Sequence, residues 1–463
     1  MPRHAYTVHG MNGAPRPLRK RCVFAVKKKR IEPQRTQGTI LCRLQYNKPN
    51  MIIWVLVGYI WLMVHRIFEV WPAYAAFRPI LVCLICLVLL WLFGAKEKRA
   101  LGNIFTLALL FYTFALFLSA TLSPFTDFFN HDFQNWLKEI IFFVILMTCV
   151  KTERDLKIVV TGFTVSVFLY MAHSYRGYLN GNVIYEAGAN RLIGLNTFYG
   201  DPNDYGTFLV FSLPLILPLI TLCKKYWHYL FVLGYFLLTL RSALGTGSRT
   251  AFMMMLVLAA LIILASRHRF KLIPLVLAVA VVSWFVLPEQ MQNRYRTIWD
   301  DSINEQANIN REGRLAGFYD GLRNWENYPL SGVGPAMHGV ALDSPFQSHN
   351  LYGQLAGETG TVGMTAFAAM LLCIAINHFN IWRHYQFLRE RNLGHEGIYC
   401  WRVSIAIMCA ILMVLLQGIG LHNAYRFPWI WFGAFQALAA LIILDKVDAA
   451  LKGKLLPGLP AKK

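Results

Sequence analysis

The sequence predicts an all-α polytopic membrane protein of about twelve transmembrane helices with a long helical outer loop. Three observations lead there. Of 463 residues, 56% are hydrophobic and only 15% charged; apolar runs of membrane-spanning length recur; and the polar connections between them alternate in charge. A soluble domain carries about 25% charged residues, and crossing roughly 30 Å of hydrocarbon takes about 20 mostly apolar residues. Collagen-like, disordered and disulfide-rich secreted classes are excluded on the same grounds.

Twelve spans are expected at 51–64, 79–94, 101–122, 139–150, 156–172, 206–222, 226–240, 249–265, 272–287, 360–381, 400–420 and 427–444. Alternate connections, with the first 50 residues, hold 32 Lys/Arg and 8 Asp/Glu, whereas the opposite set holds 13 and 16. Positive connections stay in the cytoplasm, so both termini are expected inside and the second set outside. The formal charge of +21 is therefore topological. It lacks the basic patch interleaved with aromatic readers that nucleic-acid binding requires, and no nucleic-acid partner is expected.

The division that follows is a basic cytoplasmic tail over 1–50, spans one to nine over 51–287, an outer loop over 288–359, spans ten to twelve over 360–444, and a second cytoplasmic tail over 445–463. The first tail holds 12 Lys/Arg against Glu32, including KKKR at 27–30. It has no apolar periodicity and reads as a disordered segment near anionic lipid. It is far too long and basic for the charged start of a signal peptide. Cys83 and Cys86 form a CxxC inside a span, where two small apolar side chains are the simplest reading. No cysteine falls in an outer connection, so disulfides are not expected.

The outer loop carries the chemistry. Long loops tend to be functional, and Leu315, Phe318, Tyr319, Leu322 and Trp325 recur there at helical spacing. That amphipathic helix closes at Tyr328-Pro329 and the glycines of PLSGVGP. It is expected on the membrane surface or packed over the bundle as a lid. Twelve of the thirteen outer basic residues are Arg, Lys138 being the exception. A guanidinium grips phosphate through two parallel hydrogen bonds, although pairing with the sixteen outer acids explains many of them. Four stand out. Arg249 follows Ser248, which with Thr246 can cap the next helix and so make an anion site. Arg191 precedes GDPNDYG, and Arg311 and Arg314 share one face of the loop helix.

His349 lies in SPFQSHNLYGQ, where Ser344 or Ser348 can cap the following helix. A helix N-terminus lowers the pKa of an imidazole, favouring the neutral form that a general base needs. Asn350 can orient that ring or a substrate hydroxyl. His422, beside Arg426, is a weaker rival on another outer turn. Asp201 and Asp204 can pair with Arg or form the turn. No HExxH, DxD-like pair or clustered His/Asp set appears, so no metal and no cofactor is expected. There is no Walker motif or serine triad, and mid-span charges for proton-coupled transport are nearly absent.

GSRTAF at 247–252, GDPNDYG at 200–206, NYPLSGVGP at 327–335 and HNLYGQLAGETGTVG at 349–363 resemble, in that order, the O-antigen ligase and polymerase superfamily. The resemblance covers about residues 51–445. It implies a GT-C-type, metal-independent, inverting glycosyltransferase working at the outer leaflet of the bacterial inner membrane. The implied donor is a glycan on undecaprenyl pyrophosphate, and the implied ligase acceptor is the sugar of lipid A–core. The family's loop histidine falls on His349, its loop arginine on Arg314 and its GSR arginine on Arg249; Arg191 matches an arginine before the DPN segment. The basic N-terminal tail is outside the family pattern. Polymerase and protein O-glycosylation readings share these motifs. A lipid-linked glycan transporter, from another class, would want inverted repeats and mid-membrane polar residues, which are not found.

Overall fold

The computed structural model describes residues 51–453, apart from 95–98, 100, 126–130, 187, 197–198, 301–304 and 345–346. Of Pro72, His131 and residues 305–312 it describes the backbone alone. The expected disordered tail over 1–50 lies outside the described residues, as does most of the tail after 445.

The chain is an all-α polytopic membrane protein. Helix α1 runs Met51–His65 and α2 Pro79–Leu89, which a π turn extends over Leu90–Gly94. Helices α3, Ile104–Leu122, α4, His131–Cys149, and α5, Glu153–Leu179, follow. The α5–α6 connection holds an unforeseen antiparallel hairpin, β1 Val183–Glu186 and β2 Ala189–Leu192, pairing Ile184 with Arg191. Helix α6 starts at Pro202–Ser212 and continues through Leu213–Leu215 into Ile216–Ile220. Next come α7, Tyr226–Gly245, α8, Arg249–Ala265, and α9, Arg269–Val286. The long connection forms α10, Glu289–Arg296, and α11, Glu305–Asn327. Three helices complete the chain: α12, Leu351–Glu390, α13, Gly394–Gln417, and α14, Pro428–Leu451.

Among the described residues nine helices are long and apolar enough to cross a membrane, while α1 and α8 are apolar but shorter. Packing, not composition, decides which helices sit inside. Helix α14 is apolar on all sides and buries every residue from Phe427 to Ala440, packing against α3, α4, α5, α12 and α13. Helix α9 is equally apolar yet buries no residue fully; it packs on α8 along one side and leaves most of its surface exposed, as a lipid-facing helix does. Lipid tails give no hydrophobic incentive for helices to pair, so close packing has to supply the attraction. Gly433 permits it: a Cβ there would lie 1.9 Å from the Phe105 ring.

Two glycine pairs set the geometry of the functional end. Gly317 and Gly321 on α11 face Gly353 and Gly357 on α12, each pair one helical turn apart. A Cβ on Gly321 would lie 2.2 Å from the Gly353 carbonyl oxygen, and one on Gly353 would lie 2.7 Å from that of Gly317. The backbones therefore touch, as small-xxx-small faces allow. The helix forms with Gly317, Gly321 and Asn324 buried against α12, while Leu315 and Tyr319 of the apolar stripe are exposed and Phe318, Leu322 and Trp325 are half-buried. The contact with α12 is thus made through backbone proximity, available only to glycine, and not through the apolar stripe.

Helix α12 begins nine residues before the expected span and breaks at Gly360, where φ is +63°. The PLSGVGP segment repairs the break. Val333 N–H donates to Gly357 O at 2.8 Å, Gly334 N–H to Glu358 O at 3.1 Å, and Thr361 N–H to Pro329 O at 2.8 Å. Non-helical backbone at such depth is tolerated when protein satisfies its polar groups. The Glu358 side chain locks the same region, accepting from Ala336 N–H at 3.1 Å, Gln354 Nε2 at 3.2 Å and the Tyr425 hydroxyl at 2.6 Å.

Candidate active site

The site grows from the turn between α7 and α8. Gly247 takes φ +61° there, a left-handed conformation costly for other residues. Ser248 then caps α8, its Oγ accepting from Ala251 N–H at 3.3 Å, and Thr246 Oγ1 accepts from Ser248 N–H at 3.2 Å. Helix α6 closes against this turn at Gly206, where a Cβ would meet Thr246 Oγ1 at 2.6 Å. Asp201 caps α6, accepting from Asn203 N–H at 2.7 Å and Asp204 N–H at 3.0 Å.

Arg191 ties these pieces together. It is fully buried, donates from Nε to Thr246 O at 2.7 Å and from Nη2 to Asn203 Oδ1 at 2.8 Å, and pairs through Nη1 with Glu186. Its donors serve the protein, so it organises the floor of the site. Arg294 on α10 does the same from another side, donating from Nε to Gly247 O at 2.8 Å. Burial, and then the nearby Arg191, push the Arg294 pKa down to about 10, with Glu186 opposing. Arg249, the first residue of α8, reaches Thr297 through Nη1 at 3.4 Å to Oγ1.

Arg314 arrives from α11, one turn before Gly317. A Cβ on Gly420 would lie 3.4 Å from the Arg314 Cζ and 3.2 Å from Thr250 Oγ1. The guanidinium thus touches the 418–427 turn beside the second residue of α8. Burial lowers its pKa first, and the like charge of Arg249 comes next. Two guanidiniums repel each other here, a repulsion that a bound anion would relieve.

His349 stands one turn before Gly353, so the glycine crossing brings it to the Arg314 side. Its φ is +45°, a sparsely populated conformation for a residue with a side chain. The flanking residues hold that turn. Ser348 Oγ donates to Gly317 O at 3.0 Å, and Asn350 Nδ2 to Ile419 O at 3.1 Å. Asn350, not Ser344 or Ser348, caps α12, accepting from Tyr352 N–H at 2.9 Å and Gly353 N–H at 3.0 Å. Its amide is thereby committed to the backbone. The His349 ring packs edge-on against His422 with centroids 5.3 Å apart. Desolvation, and then the Arg314 charge, hold its pKa below the ordinary 6.5, while Asp201 and Asp204 pull the other way. His422 is pushed down to about 3 by burial, then by Arg426 and His349. Both imidazoles are neutral at physiological pH.

Arg249, Arg314, His349 and Asp201 therefore share one electrostatic neighbourhood above the Arg191 floor, with Ser248 holding the helix start beneath Arg249. Arg311 lies on α11, but its side chain is outside the described residues. Sequence reasoning missed Arg294, Glu358 and the glycine faces. EQMQNRYR directly after a span, a lone acid inside GETG and glycines spaced by four were the available signals. The arrangement gathers partly dehydrated positive charge next to an imidazole held toward its neutral form.

Fold and site together define a polytopic helical membrane protein with a cluster of arginines beside a histidine. Residues 234–368 match the family model described as O-antigen ligase, and this match supports assigning the chain to that family. The matched segment runs from within α7 into α12 and so contains Arg249, Arg311, Arg314, His349 and Asn350; Arg191 and Asp201 precede it. No curated protein matches the chain.

Proposed function

We propose that this protein is an O-antigen ligase that moves a glycan from undecaprenyl pyrophosphate to a sugar hydroxyl of lipid A–core. Neutral His349 accepts the proton of the acceptor hydroxyl as its oxygen attacks the anomeric carbon. A new glycosidic C–O bond forms, the C–O bond to the diphosphate breaks with inversion, and undecaprenyl pyrophosphate leaves. Arg249 and Arg314, with Arg311, hold the diphosphate and meet the charge growing on the leaving oxygen. Arg191 and Arg294 keep the α7–α8 turn in register. Charge met by preorganised guanidiniums can do what a divalent ion does in other phosphate-leaving transferases, which is the basis for proposing that no metal takes part. The excess of basic residues on the opposite connections supports an outer-face site in the inner membrane.

One observation carries this reading: α11 and α12 cross through four glycines, with Arg314 on the one close to Thr250 near the start of α8 and within electrostatic reach of His349 just before the other. Purified protein incubated with an undecaprenyl-pyrophosphate glycan and core-only lipopolysaccharide, in the presence of a chelator, tests it. A ladder on lipid A–core is expected. Longer lipid-linked chains would mean a polymerase, and no transfer would refute the reading.

A further inference from the structure

A cavity of about 690 Å³ lies beside the site, lined at one wall by His422, Gln354 and Arg426 and at the other by the start of α2. His422 also touches His349, so the cavity ends one ring away from the proposed base. Arg249, Arg314, Arg191 and Arg294 do not line it. Its size suits a substrate head group, for which pockets span roughly 300–1,000 Å³.

The lining has two chemistries. Met63, Ile80, Leu81 and Leu84 form an apolar side, and four basic residues, Arg66, Arg78, Lys138 and Arg426, outnumber the acids Asp132 and Glu139. Much of that charge is already matched. Arg66 pairs with Glu69 at 2.5 Å and Arg426 with Asp204 at 3.1 Å, and Glu139 accepts from the Trp431 indole. Arg78 and Lys138 form no ion pair among the described residues; Lys138 donates only to Asn135, at 3.0 Å. Among the described residues, two cations at this chamber therefore have no ion-pair partner, although the charge of Lys138 is felt by the neighbouring Glu139.

The apolar wall is also a bilayer-facing wall. Leu81 lines the cavity yet is 46% exposed, and most of α2 is similarly open. The segment between Arg66 and Arg78 contributes Phe68 to the lining and carries Trp71, Tyr74 and Phe77 exposed. Aromatics beside arginines are the composition of a membrane–water interface. A molecule entering past α2 would slide apolar chains along Leu81 and bring an anionic head to Arg78 and Lys138.

We propose that this cavity receives the anionic sugar head of the acceptor glycolipid laterally from the bilayer, with Arg78 and Lys138 holding its acidic groups and His422 bordering its path to His349. The assignment rests on the transferase reading above. In-line displacement needs acceptor and leaving group on different sides of the anomeric carbon, and the cavity supplies a second approach separate from the arginine cluster.

The test compares Arg78→Glu/Lys138→Glu with Arg78→Lys/Lys138→Arg in the full-length protein, with thermal unfolding as the folding control. Both side chains are exposed, so neither pair should disturb the fold. The charge-reversed protein should show an acceptor KM raised roughly tenfold or more with binding of undecaprenyl pyrophosphate unchanged, and the charge-conserving protein should stay near wild type. An unchanged acceptor KM, or a matching loss of undecaprenyl-pyrophosphate binding, would overturn the proposal. A second readout does not need turnover. A photoreactive residue at Leu81 should crosslink to core-only lipopolysaccharide, and charge reversal at 78 and 138 should reduce that yield several-fold. Crosslinking without any transfer would refute the transferase reading and keep the binding site; transfer without crosslinking would do the reverse.

Discussion

Replacing Gly321 with alanine separates the geometry of the site from the stability of the fold. The new Cβ would lie 2.2 Å from the Gly353 carbonyl oxygen and 2.5 Å from its carbon. Carbon–oxygen contacts settle near 3.3 Å or beyond, so α11 must move from α12 by about 1 Å. Arg314 rides on α11 and His349 on the start of α12, and a misplacement of about 1 Å can cost roughly 10²-fold in rate. Stability responds much less. Overpacking costs about 1–3 kcal/mol, and alanine returns about 1 kcal/mol of helix propensity. Gly313→Ala is the control, because a Cβ there meets nothing within 4 Å on the same helix. The assay is the initial transfer rate of purified protein beside its thermal unfolding midpoint. Gly321→Ala should transfer about a hundredfold more slowly while still folded, and Gly313→Ala at the wild-type rate. Wild-type transfer by Gly321→Ala would refute the claim that the glycine crossing sets the site.

Three further outcomes follow from the same geometry. The acid limb of kcat/KM should inflect below pH 6.5, because the His349 base works when neutral and its pKa is lowered. Arg314→Gln removes one cause of that lowering, so the limb should move up in pH; a limb that stays or moves down contradicts the assigned pair. Glu358→Ala strips the acceptor from Ala336 N–H, Gln354 and Tyr425, each buried donor costing about 1–3 kcal/mol. Its unfolding midpoint should drop clearly, and Glu358→Gln should drop less. Asn350→Ala removes the α12 cap at about 0.5–2 kcal/mol, whereas Asn350→Asp keeps the accepting oxygen and should unfold closer to wild type.

Local features of this chain were legible in the sequence, and long-range ones were not. Apolar runs gave the helices because membrane burial acts residue by residue. Ser248 read as a cap because capping needs only the next three residues. His349 and Arg314 were legible as chemistry-bearing types in a long loop. The capping role of Asn350 was not legible, because capping and substrate contact use the same side-chain oxygen and the fold decides which backbone N–H groups it meets. The partners of Arg191 were legible only in part: Glu186 and Asn203 lie five and twelve residues away, whereas the Thr246 carbonyl is 55 residues on and only the fold brings it there. The α11–α12 contact was not legible because apolar periodicity weighs transferred area, whereas Gly317, Gly321, Gly353 and Gly357 contribute by having no side chain. The break at Gly360 depends on carbonyls from Pro329 and Leu330 and so was invisible from α12 alone.

Binding and chemistry can be separated in one measurement. Purified wild-type protein, His349→Ala, and Arg249→Ala/Arg314→Ala are each titrated with undecaprenyl pyrophosphate and then assayed for glycan transfer at saturating donor. His349→Ala should bind the lipid diphosphate as wild type does while losing roughly 10²–10⁴-fold in transfer, and the double arginine variant should lose the binding itself. Wild-type transfer by His349→Ala, or undiminished binding by the arginine variant, would contradict the account.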